Sequence, residues 1–234
     1  MAKAPRPWIV TPHRPIEKLE DNLWLVGSNV PGTPMPRRMA IIRRSDGTLA
    51  FYQAVPLDDA TLAQVTAWGK PSVLIVPHDH HGMDATPFAE KLGLKIYGPK
   101  ANEAKLRAKF KLAGTLEDVP ADPAVTFESV DGAKNGEALA IVHSAGGRVS
   151  LIFADAYMAT PSAGLALPLR IAGFGGGPKV TPIFKLLFLK DRSALKAHFE
   201  RLAALPGLSH LIPCHGEVES KDAPGTLKRV AATL

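Results

Sequence analysis

Residues 77–84 read Pro-His-Asp-His-His-Gly-Met-Asp and hold three of the chain's eight histidines. Imidazole and carboxylate groups at this density are donors suited to a divalent metal ion, and one such ion can activate water for attack on an ester or amide. They follow the apolar run Val73-Leu74-Ile75-Val76, which has the length of a buried strand. A strand is rigid, and the loop at its end can aim several donors at one point. Three other strand-like runs end in the same way. Residues 138–142 lead into His143 and a Ser-Ala-Gly-Gly turn, residues 149–153 into Asp155, and residues 210–213 into Cys214-His215-Gly216. Singly, a histidine after a strand is an ordinary hydrogen-bonded residue and an aspartate caps a helix or a turn. The recurrence at four strand ends is what points to a metal.

The elements that must position these donors are legible in outline. Residues 1–20 are proline-rich and basic and read as a loosely draped arm, followed by one domain over 21–234. Strands are expected at 22–26, 39–43 and 48–52, with Asp46-Gly47 marking a tight hairpin because glycine accepts the positive φ such turns need. A helix over 58–69 begins at capping aspartates and ends at Gly69; another, over 85–92, ends at Gly93. Asp84 reads as the cap of that second helix. Strands at 72–76 and 94–97 and a basic amphipathic helix over 101–113 complete the first half. The second half offers strands at 125–130, 138–142, 149–153 and 210–213 and a helix over 191–204. Strands followed by helices, twice over, predict an α+β chain with two sheets packed face to face and helices outside.

Bulk composition narrows the classes. At 234 residues, 46% hydrophobic and 21% charged, the chain can bury a substantial core, which excludes a disordered protein. No apolar stretch approaches the roughly 18 residues of a membrane span, and the basic N-terminus leads into no apolar signal core. One cysteine, Cys214, excludes an internal disulfide framework, so a reducing, cytoplasmic setting is expected. The net charge of +6 is scattered from Arg6 to Arg229, with few tyrosines and tryptophans to stack on bases. That pattern predicts no specific nucleic-acid partner.

The order of the donors carries a further reading. A His-x-His loop, then a lone histidine before a glycine-rich turn, then an aspartate after the next strand, then a His-Gly near the C-terminus resembles the metallo-β-lactamase fold superfamily over about residues 20–220. The resemblance implies an αββα sandwich of two mixed sheets with metals at one edge. It maps His143 onto the lone histidine, Asp155 onto the bridging aspartate and His215 onto the last histidine. The family's first loop reads His-x-His-x-Asp-His, and the loop at 77–84 departs from it in every register. Aligned on the strand, His78, His80, His143 and Asp155 form one site, with Gly82 and Met83 where the second needs Asp and His. Aligned on the helix, Asp79, His80, Asp155 and His215 form the second site, with Ile75 and Pro77 emptying the first. A third register puts His80 and His81 at the Asp-His positions. All three use His80, and all three damage a dinuclear centre. The stretch Tyr52-Gln53-Ala54-Val55-Pro56 also lacks the carboxylate that relatives often carry there. These losses resemble a poorly characterised branch of the superfamily.

The expected function is therefore a metal-dependent hydrolase with one metal ion, acting through metal-bound water on a small anionic or ester-type substrate. Zinc fits an imidazole-rich site best; iron or manganese also fit if carboxylates contribute. Asp79 is the candidate general base. Cys214 points away from the face used by its neighbour His215 and reads as a small buried hydrophobe. The glycine-rich segment 173–182, with Lys179, reads as a flexible connection that could cover the site or hold an anion. The apolar stretch 183–189 reads as core or as the contact face of a homodimer. The competing reading is a catalytically silent relative that keeps the fold as a binding or scaffold module; an iron-dependent redox role stands behind both.

Overall fold

The computed structural model describes residues 7–234 other than Gly164 and Ala166. Among these described residues, eleven strands form two sheets. The first takes β1 (Glu17–Glu20), β2 (Leu23–Asn29), β3 (Pro36–Arg43), β4 (Thr48–Tyr52), β5 (Lys70–Ile75), β6 (Lys95–Gly98) and β7 (Leu112–Thr115) in sequence order. The second is ordered β11-β10-β9-β8, from β8 (Val125–Ser129), β9 (Ala138–Ser144), β10 (Arg148–Phe153) and β11 (Leu208–Pro213). Both sheets are mixed: β1 to β4 are antiparallel and β4 to β7 parallel, while β8, β9 and β10 are antiparallel and β11 runs parallel to β10.

Alternation of side chains along these strands creates three apolar layers. Leu23, Leu25, Ile42, Tyr52 and Ile75 face Ala140, Val142, Ile152 and Ile212 between the sheets. The other face of the first sheet, with Ile41, Phe51 and Leu74, packs under α1 (Asp59–Trp68) and α2 (Ala85–Leu92) through Val65 and Phe88. The other face of the second sheet, with Leu139, Leu151 and Phe153, packs under α6 (Arg192–Ala203) and α7 (Ala223–Ala232). The expected αββα sandwich is what the chain forms. Short helices α3 (Glu103–Arg107), α4 (Leu167–Ile171) and α5 (Pro182–Leu187) fill connections. Among the described residues, no helix is long and apolar enough to cross a membrane.

Several expectations needed correction. The first six residues of the expected arm lie outside the described residues, but 17–20 form β1, held where buried Glu20 meets Arg148 and accepts from His210 Nε2 at 2.8 Å. Trp8 stacks on Phe88 with ring centroids 5.6 Å apart. The basic helix over 101–113 stops at Arg107, because Leu112–Thr115 is drawn into the first sheet beside β6. Asp84 stands at the N-cap of α2 without capping it; its carboxylate pairs with buried Arg37 at 2.5 Å. Within the apolar stretch 183–189 only Phe184 is fully buried, and Leu186 and Leu187 are exposed.

Candidate metal centre

The parallel pairing of β10 with β11 sets Phe153 beside Pro213, so Asp155 and His215, each two residues further on, leave the second sheet at the same edge. The loop after β5 reaches that edge from the first sheet, where the Ala138 amide donates to the Pro77 carbonyl at 3.0 Å and ties the sheets together. The loop then makes a turn in which the His81 amide donates to the His78 carbonyl at 3.0 Å. A turn of this kind brings its first and fourth residues close and turns the middle two outward. His78 and His81 therefore point inward, and Asp79 and His80 do not.

Four side chains converge. His78 Nε2 lies 3.0 Å from Asp155 Oδ2, and His81 Nε2 lies 3.2 Å from Asp155 Oδ1. Donor atoms of these three residues all fall within 4.8 Å of one another. His215 Nε2 completes the set at 3.3 Å from His81 Nε2 and 3.6 Å from Asp155 Oδ1. His215 Nδ1 donates to the Pro36 carbonyl at 2.6 Å, which leaves the Nε2 lone pair facing the cluster. Burial, with neighbouring His81, pushes the His215 pKa down to about 4, so the ring is neutral at pH 7. Burial alone would raise Asp155, but the charges and hydrogen bonds of His81 and His78 outweigh it and hold the carboxyl well below its usual range. The His81 Nδ1 atom is buried without a partner. Imidazole nitrogens and one carboxylate aimed at a common point suit one divalent ion, and a neutral His215 with its lone pair inward is the form a metal needs.

Beneath the cluster lies Glu137, which is fully buried. Its Oε1 accepts from the amides of Ala154 at 2.9 Å and Ala156 at 3.1 Å; its Oε2 accepts from Asp155 at 2.9 Å and Ala156 at 3.0 Å. One carboxylate thus fixes the turn that carries Asp155. Burial and the nearby Asp155 charge push its pKa up to about 7, against the pull of the amides. Sequence reading passed over Glu137, because a glutamate before a strand looks like a surface residue. The one available signal was its place immediately before an almost wholly apolar run.

The other expected residues are placed elsewhere. His143 is exposed at the far end of β9, because β9 runs antiparallel to β10 and its start, not its end, meets Asp155. The His80 ring projects to the rim, its side chain 58% exposed, 5.7 Å from the ring of Phe188. Asp79 turns away and accepts from Asn102 Nδ2 at 2.9 Å and Lys109 Nζ at 3.3 Å. Burial opposes these contacts, yet with His80 they leave its pKa lowered, a structural carboxylate rather than a base facing the cluster. Cys214 is buried, and burial and nearby carboxylates push its thiol well above the usual range. Lys179 Nζ is held by the Gly175 carbonyl of its own loop, so its charge is turned inward. The cluster takes His78 from the first register, His81 from the third and His215 from the second, so no single register describes it. Gln53 is strained, with φ of 64°, and its buried Oε1 has no partner.

No protein-family model matches the sequence, and no curated protein matches it. Comparison with solved structures is positive. The crystal structure of the DIM-1 metallo-β-lactamase exposed to ceftazidime is similar over 96% of this chain and 99% of that one, at 16% identity and a TM-score of 0.64. A second DIM-1 structure gives 15% identity and a TM-score of 0.60 with the same coverage. The VMB-1 structure at pH 5.5 gives 14% identity and 0.60 over 93% and 96% of the two chains. At these identities what is shared is the fold: the chain has the metallo-β-lactamase fold.

Proposed function

We propose that the protein is a metal-dependent hydrolase that holds a single divalent ion, zinc by preference, on His78, His81, Asp155 and His215. The observation that carries this reading is the convergence of those donors on one point, with His215 fixed by Pro36 as a neutral ligand. A divalent ion there would supply a Lewis acid and activate water for attack on a small ester-type or anionic substrate. The chain's own residues supply the rest. Glu137 holds the 154–156 turn so that Asp155 presents its carboxylate at a fixed angle. His80 lies exposed at the rim, where its ring would meet an incoming substrate. Phe188, its ring 6.2 Å from that of His78, sets an apolar surface beside the site.

The test is metal content per chain in protein purified without a histidine tag. About one equivalent of zinc, iron or manganese is expected, falling below about 0.2 in His81→Ala, His215→Ala and Asp155→Asn and unchanged in His143→Ala. Less than about 0.1 equivalent in the unaltered protein, with no rise on supplying metal, would refute the reading and leave the fold as a silent binding module.

A further inference from the structure

Against Cys214 and Gly216, the residues on either side of His215, lies a cavity of about 260 Å³. Its lining includes Arg14, Arg38, Thr160, Gly216, Glu217 and Pro36, whose carbonyl orients His215. Arg38 is half-buried, and among the described residues it makes no ion pair; NH1 donates to the Pro213 carbonyl at 2.6 Å. Arg14 also makes no ion pair among the described residues, and its stem packs over Gly27 on β2. Burial weakens the hold of Arg38 on its proton, and the Arg14 charge adds to this, with Glu17 and exposed Glu217 only partly offsetting it. A guanidinium partly withdrawn from water with one neutral partner is left short of acceptors, and a matching anion supplies them. The planar fork of arginine fits the paired oxygens of a carboxylate or phosphate. The neighbouring Arg37 does not share this property, since Asp84 already neutralises it.

We propose that this cavity is an oxyanion subsite in which Arg38 and Arg14 seat the carboxylate or phosphate of a small substrate. The inference rests on the hydrolase reading for the word substrate, but not for the binding of the anion. It deepens that reading: the reactive group would sit at the histidine cluster, and the anionic tail in the cavity lined by the residues on either side of His215.

Calorimetric titration of the full chain at low ionic strength and pH 7.5, with inorganic phosphate and separately with glutarate, tests it. Saturable one-to-one binding of at least one probe is expected, and the tighter probe names the chemistry of the tail. Arg14→Gln, an exposed position where folding is not at stake, and Arg38→Gln should each weaken binding tenfold or more. Arg38→Lys should fall between Arg38→Gln and the unaltered chain, and Arg201→Gln on the outer helix should have no effect. Binding in Arg14→Gln and Arg38→Gln that equals that of the unaltered chain would overturn the proposal, as would phosphate seated only on a bound metal, which both variants would retain. The absence of saturation with either probe up to tens of millimolar would overturn it too. In zinc-loaded protein, the preference for a 4-nitrophenyl ester of glutarate over that of butyrate should fall about tenfold in Arg14→Gln. If no ester turns over while arginine-dependent binding persists, the hydrolase reading fails and the subsite stands.

Discussion

Replacing Glu137 by alanine removes the acceptor for three buried amides, those of Ala154, Asp155 and Ala156. A buried donor left without a partner costs about 1–3 kcal/mol, so the amides together cost several kcal/mol. Removing a buried carboxylate beside Asp155 returns part of this. A net loss of about 3–5 kcal/mol is expected, a large share of the roughly 5–15 kcal/mol that holds a typical domain folded. Glu137→Gln keeps one carbonyl but sets an amide donor where Oε2 accepted, so its loss should be smaller, about 1–3 kcal/mol. Because the turn aims Asp155, zinc affinity should fall about 10–100-fold in the variants, the range known for groups that orient metal ligands. Urea unfolding gives the first quantity, and competition with a chromophoric chelator the second. If Glu137→Ala lies within about 1 kcal/mol and threefold in affinity of the unaltered protein, Glu137 does not organise the site and the account of the 154–156 turn is wrong.

Other outcomes follow from the same geometry. Gly216 has φ of 116°, and a Cβ there would meet the Ala159 carbonyl carbon at 2.2 Å, so Gly216→Ala should lower the melting temperature sharply and displace His215, seen as lost metal binding. Metal content unchanged at full stability would contradict this. Arg37→Met strands the buried Asp84 carboxylate and should destabilise by about 3–5 kcal/mol, with Arg37→Met/Asp84→Leu recovering much of it; a double-mutant cycle by chemical denaturation decides. Burial raises the Glu128 pKa, but His198 and Arg201 together prevail and lower it below the ordinary 4.5. The stability this adds is present above pH 4.5 and is lost as pH falls through the lower folded value, by less than about 1 kcal/mol at this half-buried site. Glu128→Gln should therefore flatten the acid limb of the stability profile, and an unchanged limb would exclude the pairing. Cys214, 1% exposed, should react with a thiol reagent only after denaturation; rapid labelling of the folded chain would show the β11 edge to be open.

Much of the scaffold could be read from the chain itself. The apolar runs at 73–76, 138–142 and 149–153 are strands because their side chains pack on both faces, and Gly93 ends α2 in the left-handed conformation expected of it. The ends of the architecture were less legible. β1 and β7 are four residues each, and both exist through pairing with a neighbour, which leaves no periodic mark in so short a segment. α7 was not among the expected elements; Pro224 and Gly225 stand in its first turn, yet Asp222 caps it and Leu227 and Val230 bury under the second sheet.

The sequence by itself determined that imidazoles and carboxylates cluster at strand ends, and the order of those ends was enough to recognise the fold. It did not determine which of them meet. His78 and His81 face each other because one hydrogen bond closes a turn between them, and His80 is sent outward by that turn. Asp155 and His215 share an edge because β10 and β11 run parallel, while His143 is carried to the opposite end because β9 runs the other way and delivers Glu137 in its place. Strand direction and turn closure are set by contacts between segments distant in the chain, so the membership of the site was decided only by the tertiary structure.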